Sequence, residues 1–316
     1  MSIKRKTRNF LKGKELILSN LAMLVTVIFW GVSFISTKII LRELPPSTIA
    51  LIRFTLASFI LGLLMYKVEP DLKRGKADLP WMALGGLLGI TFYYFFENNG
   101  INLTTAVNAS LIVTFVPLVT ICLDIVFFHS KASALKITGV AIALVGTYLS
   151  VTANGQISFS STHFKGNLFM VGAMLVWAFY TLVNKFLQRK HSGLYLTTLQ
   201  TVFGTVFLIP LALLEVKEWK MFSWLSFLHI LFLAVCCSVL GYLFYIYALK
   251  HLDVAVTTIY LNLIPVVGAA SGFIFLNESV LPIQLAGGLL TFLAIIVVNY
   301  EVNHKPRFEP AKKMDV

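Results

Sequence analysis

Apolar residues run through this chain in long blocks, and short polar stretches break them at intervals of about one membrane thickness. Ten blocks, at about 19–41, 47–66, 81–101, 105–128, 135–151, 166–187, 193–214, 224–249, 254–276 and 282–300, are long enough to cross roughly 30 Å of hydrocarbon as helices. The connections at 102–104 and 250–253 are only a few residues long and leave no room there for a further domain. Inside the blocks the few polar residues keep helical spacing. Trp30, Ser33, Phe34 and Thr37 fall at i, i+3, i+4 and i+7, and Trp177, Tyr180, Thr181 and Asn184 do the same. Each set predicts one polar face on an otherwise apolar helix.

The pattern occurs twice. Laid 147 positions apart, Asn20, Leu21, Met23, Trp30 and Lys38 return as Asn167, Leu168, Met170, Trp177 and Lys185. At an offset of 148, Tyr94, Phe96, Pro117 and Gly139 return as Tyr242, Phe244, Pro265 and Gly287. A duplicated apolar block of this size is a mark of transporters built from two structural repeats. Each block holds five spans, an odd number, so the second copy must cross the membrane upside down relative to the first. The expected fold is an all-α integral membrane protein, with ten transmembrane helices arranged as two inverted five-helix repeats around a central cavity. Its parts are a basic N-terminus (1–18), a first repeat (19–151), a linker (152–165), a second repeat (166–300) and a C-terminal tail (301–316). A cleaved leader competes for the first block, but the run from Leu21 to Ile35 is followed by Lys38, lacks a small-residue cleavage site and recurs as the sixth span. It is expected to be a retained helix.

Composition and charge sharpen this picture. Only 13% of the 316 residues are charged and 58% are hydrophobic, against about 25% charged in soluble domains, so most of the surface must face lipid. The net charge of +12 would suit nucleic acid, but its placement argues otherwise. With a cytoplasmic N-terminus, 20 of the 26 lysines and arginines fall on the inner side. Five (Lys38, Arg42, Lys165, Lys217, Lys220) fall outside, and Arg53 lies within a span. That asymmetry predicts a multi-pass plasma-membrane protein with both termini cytoplasmic. Cys122, Cys236 and Cys237 all sit in apolar runs, and no Cys/His spacing suits a metal, so neither metal nor cofactor is expected.

The order of these features resembles a known family. The Asn-Leu…Trp…Lys opening of each repeat, Leu51-Ile52-Arg53-Phe54, the run from Ala106 to Pro117, and Asn277-Glu278-Ser279…Gln284…Gly287-Gly288 are together similar to the EamA-type branch of the drug/metabolite transporter superfamily. The resemblance covers about residues 19–300 and implies transport of small metabolites, often amino acids or drug-like molecules, through a cavity between the repeats. In one place the chain departs from it. The Gly-Glu usual at the end of each fourth helix stands as Asn277-Glu278 in the second copy and as His129-Ser130 in the first.

Arg53 and Glu97 are the sharpest chemical candidates. At 1.5 Å per residue both lie about 6–9 Å below the outer boundary, where an unpaired charge costs at least roughly 2–3 kcal/mol. They are expected to form an intramembrane ion pair facing the cavity, with Glu97 binding a proton or a substrate ammonium; a structural bridge, or an Arg53 reaching for headgroups, is the alternative. The expected cavity lining is Trp30, Thr37, Tyr94, Glu97, Asn98, Asn108, Thr114, Trp177, Asn184, Tyr242, Tyr245, Thr258 and Asn262. For each of these, bonding between neighbouring helices is the competing role. Asp124 is expected as a solvated helix-end group, and Lys38 and Lys185 as lysines snorkelling at helix ends. Pro117 and Pro265 each remove a backbone donor at matching places and are expected to act as hinges. Gly85, Gly86 and Gly89 should allow close helix packing. They do not form a phosphate loop, because no Lys-Ser/Thr follows.

With no nucleotide site, transport energy should come from a gradient. The expected function is secondary active transport of a neutral or cationic amphipathic metabolite by alternating access, in the export direction, driven by protons or by exchange. An intramembrane channel and a lipid-modifying enzyme are the alternatives; the first would want a polar ring and the second an Asp, His or Ser cluster, and neither is seen. The expected partners are a small-molecule substrate and the lipid bilayer, with no nucleic acid; a homodimer stays open.

Overall fold

The computed structural model describes residues 2–70, 76–113, 116, 119–120, 123, 126–127, 133–151, 162–252, 254–276, 282–283, 285–287, 289–290, 293–294 and 297. All its regular structure is helical. Twelve α-helices are described: α1 (Ser2–Ile40), α2 (Pro46–Val68), α3 (Leu79–Gly86), α4 (Tyr93–Leu103), α5 (Ala106–Ile112), α6 (Ala134–Val151), α7 (Thr162–Leu187), α8 (Gly193–Leu214), α9 (Trp224–Phe232), α10 (Gly241–His251), α11 (Val254–Tyr260) and α12 (Ile264–Leu276). Among the described residues, seven stretches are long and apolar enough to cross a membrane, starting at Lys14, Pro46, Leu79, Phe164, Gly193, Trp224 and Val256. Large apolar side chains such as Ile28, Phe59, Val206 and Phe275 are exposed on the outside of the bundle, where only lipid would cover them. Thr114, Pro117, Asp124, His129 and Asn277-Glu278 lie outside the described residues.

Two spans are interrupted in the same way. Between α3 and α4 the helix widens to a π-helical stretch, Leu87–Phe92, and between α9 and α10 it does so again at Leu233–Leu240. Such π-helical turns commonly sit beside functional sites, and these directly precede Tyr93-Tyr94 and Gly241-Tyr242. Between α11 and α12 the chain tightens instead into a 3-10 turn, Leu261–Leu263. Pro265 therefore stands in the first turn of α12, where its missing N–H costs little. The backbone stays helical on both sides of the turn, so span nine tightens there without breaking.

Packing follows the duplication. The second helices of the two blocks, α2 and α8, pack along each other; α1 lies against α10 and α12, and α7 lies against α4 and α5. Carboxylates tie the ends of this frame. Glu215, just past α8, accepts the backbone N–H groups of Ser47 (2.9 Å) and Thr48 (2.8 Å) in the first turn of α2. At the other end Glu69, just past α2, accepts from the hydroxyl of Ser192 (2.7 Å), the residue that caps α8. Each helix thus offers a carboxylate to the positive N-terminus of its neighbour. Glu43 likewise takes the Ser223 amide (2.7 Å) ahead of α9, and that bond holds its carboxyl below the ordinary range. Asp78, ahead of α3, is held below it by the bond from His191 (2.9 Å) with help from Lys190 (3.3 Å).

Candidate functional site

Where α1, α4 and α7 meet, the tryptophan faces anticipated from the repeat come together. Trp30 and Trp177 touch edge to face, with ring centroids 5.2 Å apart. Tyr242 and Tyr245 of α10 pack on both, at 5.3–5.8 Å, and Tyr93 closes on Trp177 at 4.9 Å. Edge-to-face pairs at these distances add attraction beyond burial. Trp30 is fixed by donating Nε1–H to the Cys237 carbonyl (3.0 Å), an acceptor in the π-helical stretch. Tyr242 is fixed by donating its hydroxyl to the Gly89 carbonyl (2.7 Å) in the other one. Gly89 cannot be larger, because a Cβ there would run into the Tyr180 ring.

A cavity of about 20 Å³, enough for a water molecule, lies beside this cluster, lined by Trp30, Ser33, Phe34, Tyr93, Tyr94, Glu97, Val113, Trp177 and Ile264. Glu97 is its one ionisable carboxylate and is only 5% exposed. The Tyr93 hydroxyl donates to Glu97 Oε1 (2.8 Å). Arg53 is buried nearby, but the two do not meet in a direct salt bridge, contrary to expectation. Arg53 instead donates from Nε to the Ser238 hydroxyl (2.7 Å) and from Nη2 to the Tyr94 hydroxyl (3.1 Å), with its guanidinium 4.5 Å from the Tyr94 ring centre. The adjacent residues Tyr93 and Tyr94, with rings 4.9 Å apart, stand between the charges. Carboxylate and guanidinium are thus each satisfied by a tyrosine, and Glu97 keeps its place on the cavity wall.

Of the expected lining, Trp30, Tyr94, Glu97 and Trp177 reach this cavity. Tyr242 and Tyr245 form the cluster behind them, Tyr245 sharing a hydrogen bond with Thr181 (2.8 Å). Thr37, Asn98, Asn184, Thr258 and Asn262 are buried without lining it. Asn98 donates to the Pro46 carbonyl (2.8 Å) and ties α4 to the start of α2. Asn184 donates to the Tyr180 carbonyl and accepts from Gln200 (3.1 Å), joining α7 to α8. Thr258 bonds back to the Val254 carbonyl, Asn262 sits in the 3-10 turn, and Thr37 is buried within α1. The side chain of Asn108 lies outside the described residues. The Lys38 ammonium reaches the end of α4 and caps it, donating to the carbonyls of Ile101 (2.7 Å), Asn102 (3.3 Å) and Thr104 (2.6 Å). Sequence reasoning passed over Tyr93 and Gln200, although a lone amide in the apolar run of α8 was a visible signal.

Three pairs of residues at the repeat offsets touch each other: Trp30 with Trp177, Ser58 with Thr205 (3.0 Å) and Tyr94 with Tyr242 (3.5 Å between hydroxyls). The comparisons with known proteins agree with this twofold pattern. The profile of the EamA-like transporter family matches the chain twice, over residues 17–152 and 164–300. An uncharacterized transporter of Archaeoglobus fulgidus is 29% identical over 278 residues, covering 88% of this chain and 96% of its own length. A probable terminal-alkyne amino-acid exporter of Streptantibioticus cattleyicolor is 27% identical, over 88% and 92%. One crystal structure superposes with a TM-score of 0.70 at 16% identity, covering 90% of this chain and 97% of the other, a likeness of fold alone.

Proposed function

The chain belongs to the EamA-like transporter family, a multi-pass membrane transporter, and from that premise we propose a secondary active exporter. It carries a small neutral or cationic amphipathic metabolite, an amino acid or drug-like compound, across the plasma membrane by alternating access. A proton gradient or metabolite exchange drives it. The contacts between repeat mates support the inverted layout: in a twofold arrangement only residues on the axis touch their own counterparts, and an odd helix count per copy turns the second copy over. Both termini are then cytoplasmic, as the basic residues require. The likeness to the Streptantibioticus cattleyicolor protein, a probable terminal-alkyne amino-acid exporter, favours an amine-bearing substrate.

One observation carries this reading: a single buried carboxylate, Glu97, on a cavity wall built from Trp30, Trp177, Tyr93 and Tyr94. Aromatic faces attract a cation, and one acid among them holds either a substrate ammonium or a proton. The present cavity is far smaller than the roughly 300 Å³ at which small-molecule sites begin, so this is a form closed around the site. Spans four and nine, the latter tightened into a 3-10 turn before Pro265, are the elements that open it. The test is a panel of amino acids and amphipathic amines in proteoliposomes with an imposed pH gradient. The account expects saturable, gradient-driven flux that Glu97→Gln abolishes. Ohmic current with no saturation would replace the carrier by a channel.

A further inference from the structure

A hollow larger than the central cavity lies away from the centre. It is a groove of about 610 Å³ between the middle of α1 at Leu18 and Ala22, the turn joining α7 to α8, and the end of α10. Its wall is apolar, with Ala22, Leu243 and Phe244 among the lining, and its rim carries Lys250 and His251. Lys250 is exposed. His251 donates from Nδ1 to the Tyr247 carbonyl (2.8 Å), which turns Nε2 away from its own helix. Gln188 lines the groove as well and is 9% exposed; its Nε2 donates to the Leu249 carbonyl (3.0 Å), while its Oε1 has no partner among the described residues. An apolar trough ending in a cation and an unused buried acceptor has the polarity of a phospholipid's acyl and headgroup ends.

The other repeat shows what a filled version of this place looks like. The mate of Ala22 is Phe169, which packs against Phe95 and Phe96 at 6.1 Å each, and these are the mates of Leu243 and Phe244. The mate of Lys250 is Asn102, that of His251 is Leu103, and that of Gln188 is Leu41. A small residue opens the trough in one copy only, and in that copy the rim is basic and an amide stands where the other copy has a half-buried leucine. All of these lie at the end of the bundle where the basic residues collect, which places the groove in the leaflet facing the basic N-terminus.

We propose that this groove is a binding site for an anionic phospholipid, with one acyl chain along Ala22, Leu243 and Phe244, the phosphate at Lys250, and a donor of the headgroup on Gln188 Oε1. The site is separate from the central cavity and its test needs no transport assay. Delipidated full-length protein is titrated in detergent with phosphatidylglycerol or phosphatidylcholine of identical chains, and bound lipid is counted by native mass spectrometry. One phosphatidylglycerol should bind about fivefold more tightly than phosphatidylcholine, the worth of one interfacial lysine. Lys250→Asn, a change at an exposed residue, should make the two lipids equal while lipid still binds. Ala22→Phe, which copies the other repeat, should remove both; should that variant not fold, Lys250→Asn still decides. Equal binding of the two lipids by the unaltered protein, or unchanged preference in Lys250→Asn, would overturn the assignment. So would stronger lipid binding after deletion of residues 1–13, since that would give the groove to the chain's own N-terminal segment.

Discussion

Arg53 and Gln200 hold matching positions in the two copies of the fold, and so do Glu97 and Tyr245, yet only the first copy places charge there. In the first copy Arg53 donates to Tyr94 and Ser238, and Glu97 accepts from Tyr93 beside the cavity. In the second, Gln200 donates to Asn184 and Tyr245 pairs with Thr181. The same scaffold is used twice, once with ions and once with neutral groups. Under the proposed alternating access, near-symmetric copies would give the bundle two comparable resting forms, and the unequal chemistry within them would let a proton or an amine bias one form over the other. Symmetry in this molecule belongs to the frame, and asymmetry to the site.

The comparison can be broken most severely at Arg53. Arg53→Gln copies the mate and leaves two buried hydroxyls without their donor, at about 1–3 kcal/mol each. Gln200→Leu removes one bond, to Asn184, and should cost less. Thermal unfolding in detergent should rank the two in that order; a larger loss at Gln200 would contradict the distinction drawn between the copies. Next comes the pair Gly89 and Cys237, again repeat mates. Gly89→Ala drives a methyl into Tyr180 and should cost about 1–3 kcal/mol as overpacking, whereas Cys237→Ala deletes one buried heavy atom and should cost about 0.5–1.5 kcal/mol. Equal stability of Gly89→Ala and the unaltered protein would remove the close approach of α3–α4 to α7 from the account.

The smallest effect concerns the ends of the frame. Asp78 is held below the ordinary carboxylate range by His191 and then Lys190, so the unfolded chain takes up its proton first as pH falls. The contribution of this clasp is full above the ordinary carboxylate pKa of about 4 and fades as pH drops through the lowered value. The melting temperature of Asp78→Asn should therefore approach that of the unaltered protein below about pH 4 and fall under it at neutral pH. A gap that widens on acidification would reverse the sign.

How much of this was legible in the sequence differs between frame and site. The described spans fall within a few residues of the apolar blocks, because a helix in hydrocarbon has no other way to satisfy its backbone. Trp30, Trp177, Tyr94 and Glu97 were legible because the repeat marked three of them and burial of an acid marks the fourth. Depth along two helices could not say that Tyr93 and Tyr94 would stand between Glu97 and Arg53, since that depends on rotation about each axis. The π-helical stretches carry no period of their own, so their effect on the heading of Tyr94 and Tyr242 was hidden. Asn98 and Asn184 looked like cavity residues because an amide that joins helices and one that faces water have the same sequence pattern.

The central claim is that the carboxylate of the first copy, and not its neutral mate, couples the gradient to the substrate. Its most direct test compares Glu97→Gln with Tyr245→Phe in proteoliposomes of matched orientation, measuring pH-gradient-driven accumulation and, separately, substrate counterflow. The account predicts that Glu97→Gln loses accumulation while Tyr245→Phe keeps most of it. Undiminished gradient-driven accumulation in Glu97→Gln, or loss confined to Tyr245→Phe, would contradict it.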